Sequence, residues 1–172
     1  FDHSSSLRNS VRLDLRSRFE NGVYKGSRYE NGALDFAMTQ DTISYKHNIQ
    51  RDPGNVRFNI EASARLEDNV TRLWLTNLFL GSDEYAWDLE ESGRMAYRED
   101  QSFAFEEFRL VNGDQSFSIY GVLSGKPEHS LEYDFNEVKL EQISDLIDGK
   151  VDFEGVLNGS ILTHTLTRTP YI

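Results

Sequence analysis

The sequence predicts an all-β fold with one short helix near residues 140–147, and two observations support it. Apolar residues alternate with polar ones along most of the chain, as in strands with one buried and one solvated face. Glycine-containing turn sequences separate these segments at a spacing of about ten residues, which is typical of antiparallel β-structure. No linker or low-complexity segment divides the chain, so residues 1–172 are expected to form a single all-β unit.

The predicted strands begin near the amino terminus and continue almost to the other end of the chain. Val, Ile, Phe, Tyr and Thr dominate them, and these residues fit a pleated, half-buried surface well. In chain order, the clearest alternating segments are 11–16, 58–66, 73–75, 85–89, 103–105, 117–121, 131–135 and 151–153.

Turn sequences separate the predicted strands. Asn, Asp and Gly tolerate positive φ, so Asn-Gly, Asp-Gly and Pro-Gly pairs favour a reversal of the chain. The pairs expected to form turns are Asn21-Gly22, Asn31-Gly32, Pro53-Gly54, Asn112-Gly113, Asp148-Gly149 and Asn158-Gly159.

One segment has helical rather than strand periodicity. Leu140, Ile143, Leu146 and Ile147 fall on one side of a helix, and Gly149 is placed to end it. The segment is short, and a strand followed by a turn remains an alternative for its first half.

Composition excludes several classes of function. The chain has 29 acidic and 18 basic residues and a net charge of −11, which argues against nucleic acid or an anionic membrane surface as the main partner. It contains no cysteine, so disulfides, thiolate metal sites and cysteine nucleophiles are excluded.

Motifs for catalysis or metal binding are weak. The four histidines have no second ligand at metal-binding spacing and are expected to be exposed or in turns. Ser124 lies in a sequence similar to a nucleophile elbow, but it comes one residue too late. Carboxylates near Asp88 could serve a glycosidase, yet Asp88 alternates with Trp87 and Leu89 as on the solvated face of a strand.

A recognition module is the main alternative. A β-sandwich that binds carbohydrate or protein would use exposed aromatic side chains, and Trp74, Tyr85 and Tyr97 could form such a surface. The sequence pattern does not decide between this surface and an ordinary core.

Residues 83–170 contain an ordered series of short motifs. They are Tyr85-Ala86-Trp87, the segment from Met95 to Tyr97, Phe108-Arg109-Leu110, Asn112-Gly113-Asp114-Gln115, the segment from Phe117 to Ser124, the segment from Leu131 to Phe135, the segment from Val138 to Ile147, the segment from Phe153 to Gly159, and Thr169-Pro170. This series resembles the carboxy-terminal region of the TamB family, the large AsmA-like periplasmic proteins of Gram-negative bacteria.

The resemblance implies an elongated, curved β-sheet folded into an open hydrophobic trough, a β-taco-like shape. It also implies that the chain is a fragment of a longer TamB-like protein in the periplasm, anchored in the inner membrane. Such proteins are linked to phospholipid movement between the two membranes and to outer-membrane protein assembly alongside a barrel partner. The family brings no catalytic residues, so a non-enzymatic role without metal or cofactor is expected.

The candidate site is therefore a surface rather than a constellation of reactive groups. The apolar positions of the alternating strands are expected to line the groove and to contact the acyl chains of phospholipid. These positions are Val11, Leu13, Leu15, Phe36, Phe58, Ile60, Leu75, Trp87, Phe105, Phe117, Ile119, Leu131, Tyr133, Phe135 and Phe153.

Overall fold

Twelve strands and one helix make up the part of the chain that the structure, a computed structural model, describes. It covers residues 12–24, 26–52, 55–146 and 153–164, and for residues 144–146 only the backbone is described. All twelve strands belong to one antiparallel sheet, so the predicted all-β class is confirmed. The strands are β1 (Arg12–Tyr24), β2 (Ser27–Thr39), β3 (Thr42–Asp52), β4 (Val56–Leu66), β5 (Val70–Gly81), β6 (Ala86–Leu89), β7 (Gly93–Arg98), β8 (Phe103–Glu107), β9 (Arg109–Asn112), β10 (Gln115–Leu123), β11 (Ser130–Lys139) and β12 (Val156–His164).

The sheet is a meander in which most strands pair with the strand that precedes or follows them in sequence. Its order is β1-β2-β3-β4-β5-β6-β9-β10-β11-β12, and β7 lies between β5 and β8. Strand β5 pairs through residues 79–81 with β6 and through residues 70–75 with β7. Strands β8 and β9 likewise pair with different parts of β10. Because β6 and β7 share one position in the sheet and β8 and β9 share another, the twelve strands occupy ten positions.

Three of the predicted turns are wrong. Asn21-Gly22 lies inside β1, Asn31-Gly32 inside β2 and Asn158-Gly159 inside β12. Asn31 has a φ of 52° where the β2–β3 register shifts between Glu30 and Ala33, so its conformational freedom serves a β-bulge instead of a reversal.

One predicted turn is confirmed. Asn112 ends β9, and Gly113 with a φ of 59° leads into β10. The pairs at 53–54 and 148–149 lie outside the described residues. The turn between β2 and β3, which carried no glycine signal, uses Gln40 with a φ of 50°.

The predicted helix is present as α1, Leu140–Leu146, directly after β11; residue 147 lies outside the described range. Its start is tied to the segment before β12, because Leu140 N donates to Gly155 O at 2.9 Å and Gly155 N donates to Glu141 Oε1 at 3.1 Å. The hydrogen bond from Gly155 lowers the pKa of Glu141. These bonds hold α1 against the sheet next to β11 and β12.

The strand predicted at 151–153 is not found in the described residues. Residues 151 and 152 lie outside the description, and Phe153 precedes β12 without belonging to a strand. The last strand begins at Val156 instead, after Gly155 with a φ of 117°.

The buried core of the described chain is small. No second sheet packs against the first within the described residues, and most apolar side chains are only half-buried. Nine apolar side chains are buried: Val56, Ala64, Leu75, Tyr85, Trp87, Ala96, Ala104, Leu131 and Val138. Three of them, Tyr85, Trp87 and Val138, form a cluster beneath α1 with Ile143 of that helix packed against it.

Candidate functional site

The sheet register places the apolar side chains of neighbouring strands on the same side. Residues that pair across an antiparallel ladder point to one face of the sheet. Phe117 pairs with Phe135 and Ile119 with Tyr133, and the same relation continues strand by strand to Leu15 and Phe36 at the other end. We call this side the apolar face; it runs from Leu13 in β1 to Ile161 in β12.

Thirteen of the fifteen predicted groove residues lie on the apolar face. Val11 is outside the described residues, and Phe153 is 42% exposed and belongs to no strand, so neither is placed there. The thirteen are Leu13, Leu15, Phe36, Phe58, Ile60, Leu75, Trp87, Phe105, Phe117, Ile119, Leu131, Tyr133 and Phe135. That these residues contact lipid remains a prediction.

The prediction missed other members of the apolar face. Strand β3 alternates as clearly as the strands that were recognised, and this pattern alone could have identified its residues on the apolar face. The missed residues are Leu34, Met38, Ile43, Tyr45, Ile49, Leu73, Leu78, Leu80, Leu89, Met95, Phe103, Leu110, Val138 and Leu157.

One part of the apolar face breaks the two-residue period. Leu75 pairs with Ala62 and Leu78 pairs with Ile60, so two residues three positions apart in β5 point to the same side. The register shift between Glu61 and Ala62 absorbs the extra residue as a bulge. Simple alternation would place Leu78 on the opposite face, and no signal in the sequence predicts otherwise.

Exposure on the apolar face rises toward the edges of the sheet. Leu13 is 53% exposed, Leu15 50% and Ile161 51%, because each lies in a strand with one neighbour in the described sheet. Leu131 and Val138, in β11, are buried. The face is therefore covered around α1 and β11 and open toward β1.

A row of phenylalanines crosses the apolar face. Phe103, Phe105, Phe108, Phe117 and Phe135 are in contact one after another, with ring centroids 5.0 to 6.4 Å apart. Phe108 lies between β8 and β9 and belongs to neither strand. Its ring contacts both Phe105 and Phe117 and so joins the two parts of the row. Three of these contacts are edge-to-face and the Phe117–Phe135 contact is tilted, and such packing stabilises the rings against one another.

Helix α1 covers part of the apolar face and is held there by a polar contact. Gln142 Oε1 accepts hydrogen bonds from Trp87 Nε1 at 2.9 Å and from Asn112 Nδ2 at 3.2 Å. The indole N–H of the buried Trp87 is thus satisfied without water. This contact fixes α1 over β6 and β9.

His47 departs from the expectation that the histidines would be exposed or in turns. It lies on the apolar face in β3, where its Nδ1 is 3.0 Å from Tyr45 Oη and its ring packs edge-to-face against Phe58. His129 follows a turn and His164 is exposed in β12 as expected, and His3 is outside the described residues.

The opposite side of the sheet, the polar face, carries cross-strand ion pairs. Arg18 contacts Asp35 at 2.7 Å and Lys46 contacts Glu61 at 2.9 Å. The hydrogen bond from Arg18 lowers the pKa of Asp35. These pairs are exposed and contribute little to stability. Their charges make this side of the sheet hydrophilic.

The acidic residues near Asp88 do not form a paired acid and base. Asp88 is exposed on the polar face, and Glu90 forms an ion pair with Arg109 at 3.0 Å. Asp83 contacts Arg57, and Asp100 contacts Lys126. Glu90, Asp83 and Asp100 are thus engaged in separate contacts between neighbouring segments.

Ser124 has a histidine neighbour, yet its surroundings are those of a turn. Its Oγ is 2.7 Å from His129 Nδ1 and accepts a hydrogen bond from Lys126 N at 3.0 Å. The side chain is buried, with 3% exposed, so its hydroxyl is closed to a substrate. A serine hydroxyl that bonds the backbone two residues on is typical of a turn.

The three aromatic residues considered for a sugar-binding surface do not share one. Trp74 lies on the polar face opposite Arg94, Tyr85 is buried beside Trp87, and Tyr97 is 45% exposed on the apolar face.

Comparisons with known proteins add no further constraint. A scan of family models and searches of curated proteins and of solved structures found no match to this chain. Within the described residues, no group of three or more His, Asp or Glu side chains could hold a metal ion. No helix in that part of the chain is long and apolar enough to cross a membrane.

Proposed function

We propose that this chain is a non-enzymatic segment of a TamB-like envelope protein whose apolar face conducts phospholipid between the inner and outer membranes. The observation that carries this proposal is the single apolar face shared by the strands from β1 to β12, most of whose side chains remain half-exposed. A globular domain would cover such a face with a second layer of its own.

The energetics favour an acyl chain as the missing layer. Each methylene removed from water contributes about 0.8 kcal/mol, so roughly ten methylenes would contribute about 8 kcal/mol before ordering costs. Contacts with Leu, Ile and Phe side chains are non-directional, so a bound chain can slide along the face.

The proposed shape is an open trough. Register shifts in the β2–β3, β4–β5, β7–β8 and β11–β12 ladders are β-bulges, which bend strands and increase their twist. Accumulated bending of this kind would curl a one-layer sheet around its apolar face and bring the two edges toward each other.

The setting of the proposed function follows from the resemblance to TamB. The chain would act in the periplasm as part of a parent protein anchored in the inner membrane. Its partners would be phospholipid acyl chains and, through the parent chain, an outer-membrane barrel protein of the assembly machinery, with which it would assist outer-membrane protein assembly.

Native mass spectrometry of the purified chain tests lipid binding directly. After incubation with phosphatidylethanolamine we expect lipid-bound species, and Ile119→Arg on the apolar face should remove them. Ser118→Arg is the matched control, because the neighbouring residue points to the polar face.

The melting temperatures of the two variants complete the test. If Ile119 borders a lipid-accessible surface, Ile119→Arg keeps most of the stability and loses lipid. If it lies in a closed core, the unpaired charge should unfold the protein. Absence of bound lipid on the wild-type chain would contradict the proposal.

A further inference from the structure

Strand β1 is a long edge strand of the described sheet. It is 13 residues long and, among the described strands, pairs only with β2. Natural sheets protect such an edge with proline, a short strand, a bulge, charged side chains or inward-pointing charges. The charged side chains of β1 carry both signs, so they can attract a second copy as well as repel it. Strand β1 contains no proline, and the side that it presents to the apolar face carries Leu13, Leu15 and Phe19.

We propose that β1 pairs antiparallel with β1 of a second copy of this chain, around a twofold axis at Arg16. In this register Arg12 faces Glu20 of the second copy, and Asp14 faces its Arg18. Each pairing occurs twice by symmetry, which gives four contacts of opposite charge on the polar face.

The same register keeps the two apolar faces continuous. Leu13 comes to lie opposite Phe19 and Leu15 opposite Ser17, all on the apolar side. The one unfavourable pair is Arg16 against its own copy, and the Asp35 carboxylate already lies 4.0 Å from the Arg16 guanidinium. A single extended sheet with one apolar and one polar side would result.

Neighbouring registers bring like charges together, so the charges of β1 favour the register with its axis at Arg16. An axis at Leu15 would place Arg12 opposite Arg18, and an axis at Ser17 would place Asp14 opposite Glu20 and Arg16 opposite Arg18. A shift that moves the pairing by a single residue would turn leucines toward the charged side.

The other edge of the described sheet lacks such a pattern of charges. Strand β12 contains no acidic or basic residue apart from His164, so nothing in it selects a partner or a register. The inference concerns β1 alone and does not depend on the proposed lipid function.

Sedimentation velocity over a range of concentrations tests the pairing. We expect the wild-type chain to dimerise and Glu20→Arg to weaken the dimer about tenfold or more, because two attractive pairs become repulsive. The double variant Arg12→Glu/Glu20→Arg should restore it. Glu128→Arg is the matched control, since it makes the same charge change in an exposed turn away from β1.

The absence of cysteine allows the axis to be located. Arg16→Cys should form a disulfide-linked dimer on mild oxidation, because only the residue on the axis meets its own copy. Asn21→Cys, also exposed in β1, should not, since the two thiols would be about 34 Å apart.

A wild-type chain that stays monomeric, a charge swap that fails to restore the dimer, or assembly into open chains by pairing of β1 with β12 would each overturn the inference.

Discussion

Asp100 shows how single side chains connect parts of the sheet that are distant in sequence. Its carboxylate accepts hydrogen bonds from Ser102 N and Ser102 Oγ in its own turn and from Lys126 Nζ at 2.8 Å in the β10–β11 turn. The Lys126 ammonium and the Ser102 donors hold the pKa of Asp100 well below its usual range. The stabilisation is therefore fully present above the ordinary aspartate pKa and is lost progressively as the pH falls below it.

Tyr120 gives a pH-dependent prediction at the same scale. Its hydrogen bond to Glu132, followed by burial and the charges of Asp134 and Glu132, raises the pKa of Tyr120 to about 12. Because the folded-state value lies above the value of 10 in the unfolded chain, its contribution to stability is complete below pH 10 and is lost toward pH 12. The difference in absorbance at 295 nm between wild type and Tyr120→Phe after a rapid pH jump should titrate near 12.

The control for Tyr120 is Glu132→Gln, which removes the negative charge and keeps a similar shape. The phenol should then titrate closer to its ordinary value. A midpoint at 10 in the wild-type protein would mean that the Tyr120–Glu132 hydrogen bond does not form.

At the scale of elements, alternation predicted the strands and their faces, and departures from regular pairing escaped it. Phe117–Gly121 and Leu131–Phe135 were recognised because their apolar residues follow a strict period of two. The bulge at Asn31 could not be foreseen, because Asn-Gly has the same backbone freedom in a bulge as in a turn. Tertiary contacts decide between them: the Phe19 ring lies over Gly32, where a Cβ would collide with it.

Helix α1 was predicted from its period, whereas its role depends on contacts that the sequence does not reveal. Seven residues are too few for a stable isolated helix, so packing must hold it in place. Its anchor is Ile143 against the Tyr85, Trp87 and Val138 cluster, together with Gln142 at the Trp87 indole. Trp87 and Gln142 are 55 residues apart, and no pattern in the sequence identifies them as partners.

Ile143→Ala should therefore loosen the part of the apolar face that α1 covers. We expect a loss of about 2 kcal/mol in the free energy of unfolding, the low end for such truncations, because Ile143 is only partly buried. In a Trp74→Phe background only Trp87 fluoresces, and its emission should shift to the red as water reaches it. Ile143→Val is the conservative control, and an unchanged spectrum in Ile143→Ala would show that α1 does not shield Trp87.

At the scale of the whole molecule, the described sheet leaves much of its apolar surface exposed. Twelve large hydrophobic side chains of the described residues are at least 36% exposed, whereas nine apolar side chains are buried. A meander of one layer has few ways to bury its strands, because each contacts its neighbours in the ladder and little else. Stability should then vary across the sheet instead of being shared evenly.

Hydrogen exchange should reveal this gradient. Strands β10 and β11 lie beside the phenylalanine row and the Trp87 cluster, so their amides should be the most protected. Strands β1 and β12 have one neighbour each in the described sheet and should exchange fastest at concentrations where the chain is monomeric. Raising the concentration until dimers form should slow exchange in β1 and leave β12 unchanged, which separates pairing at this edge from a general stabilisation. Uniform protection from β1 to β12 would instead mean that a second layer covers the apolar face, since only a shared core makes distant strands open together.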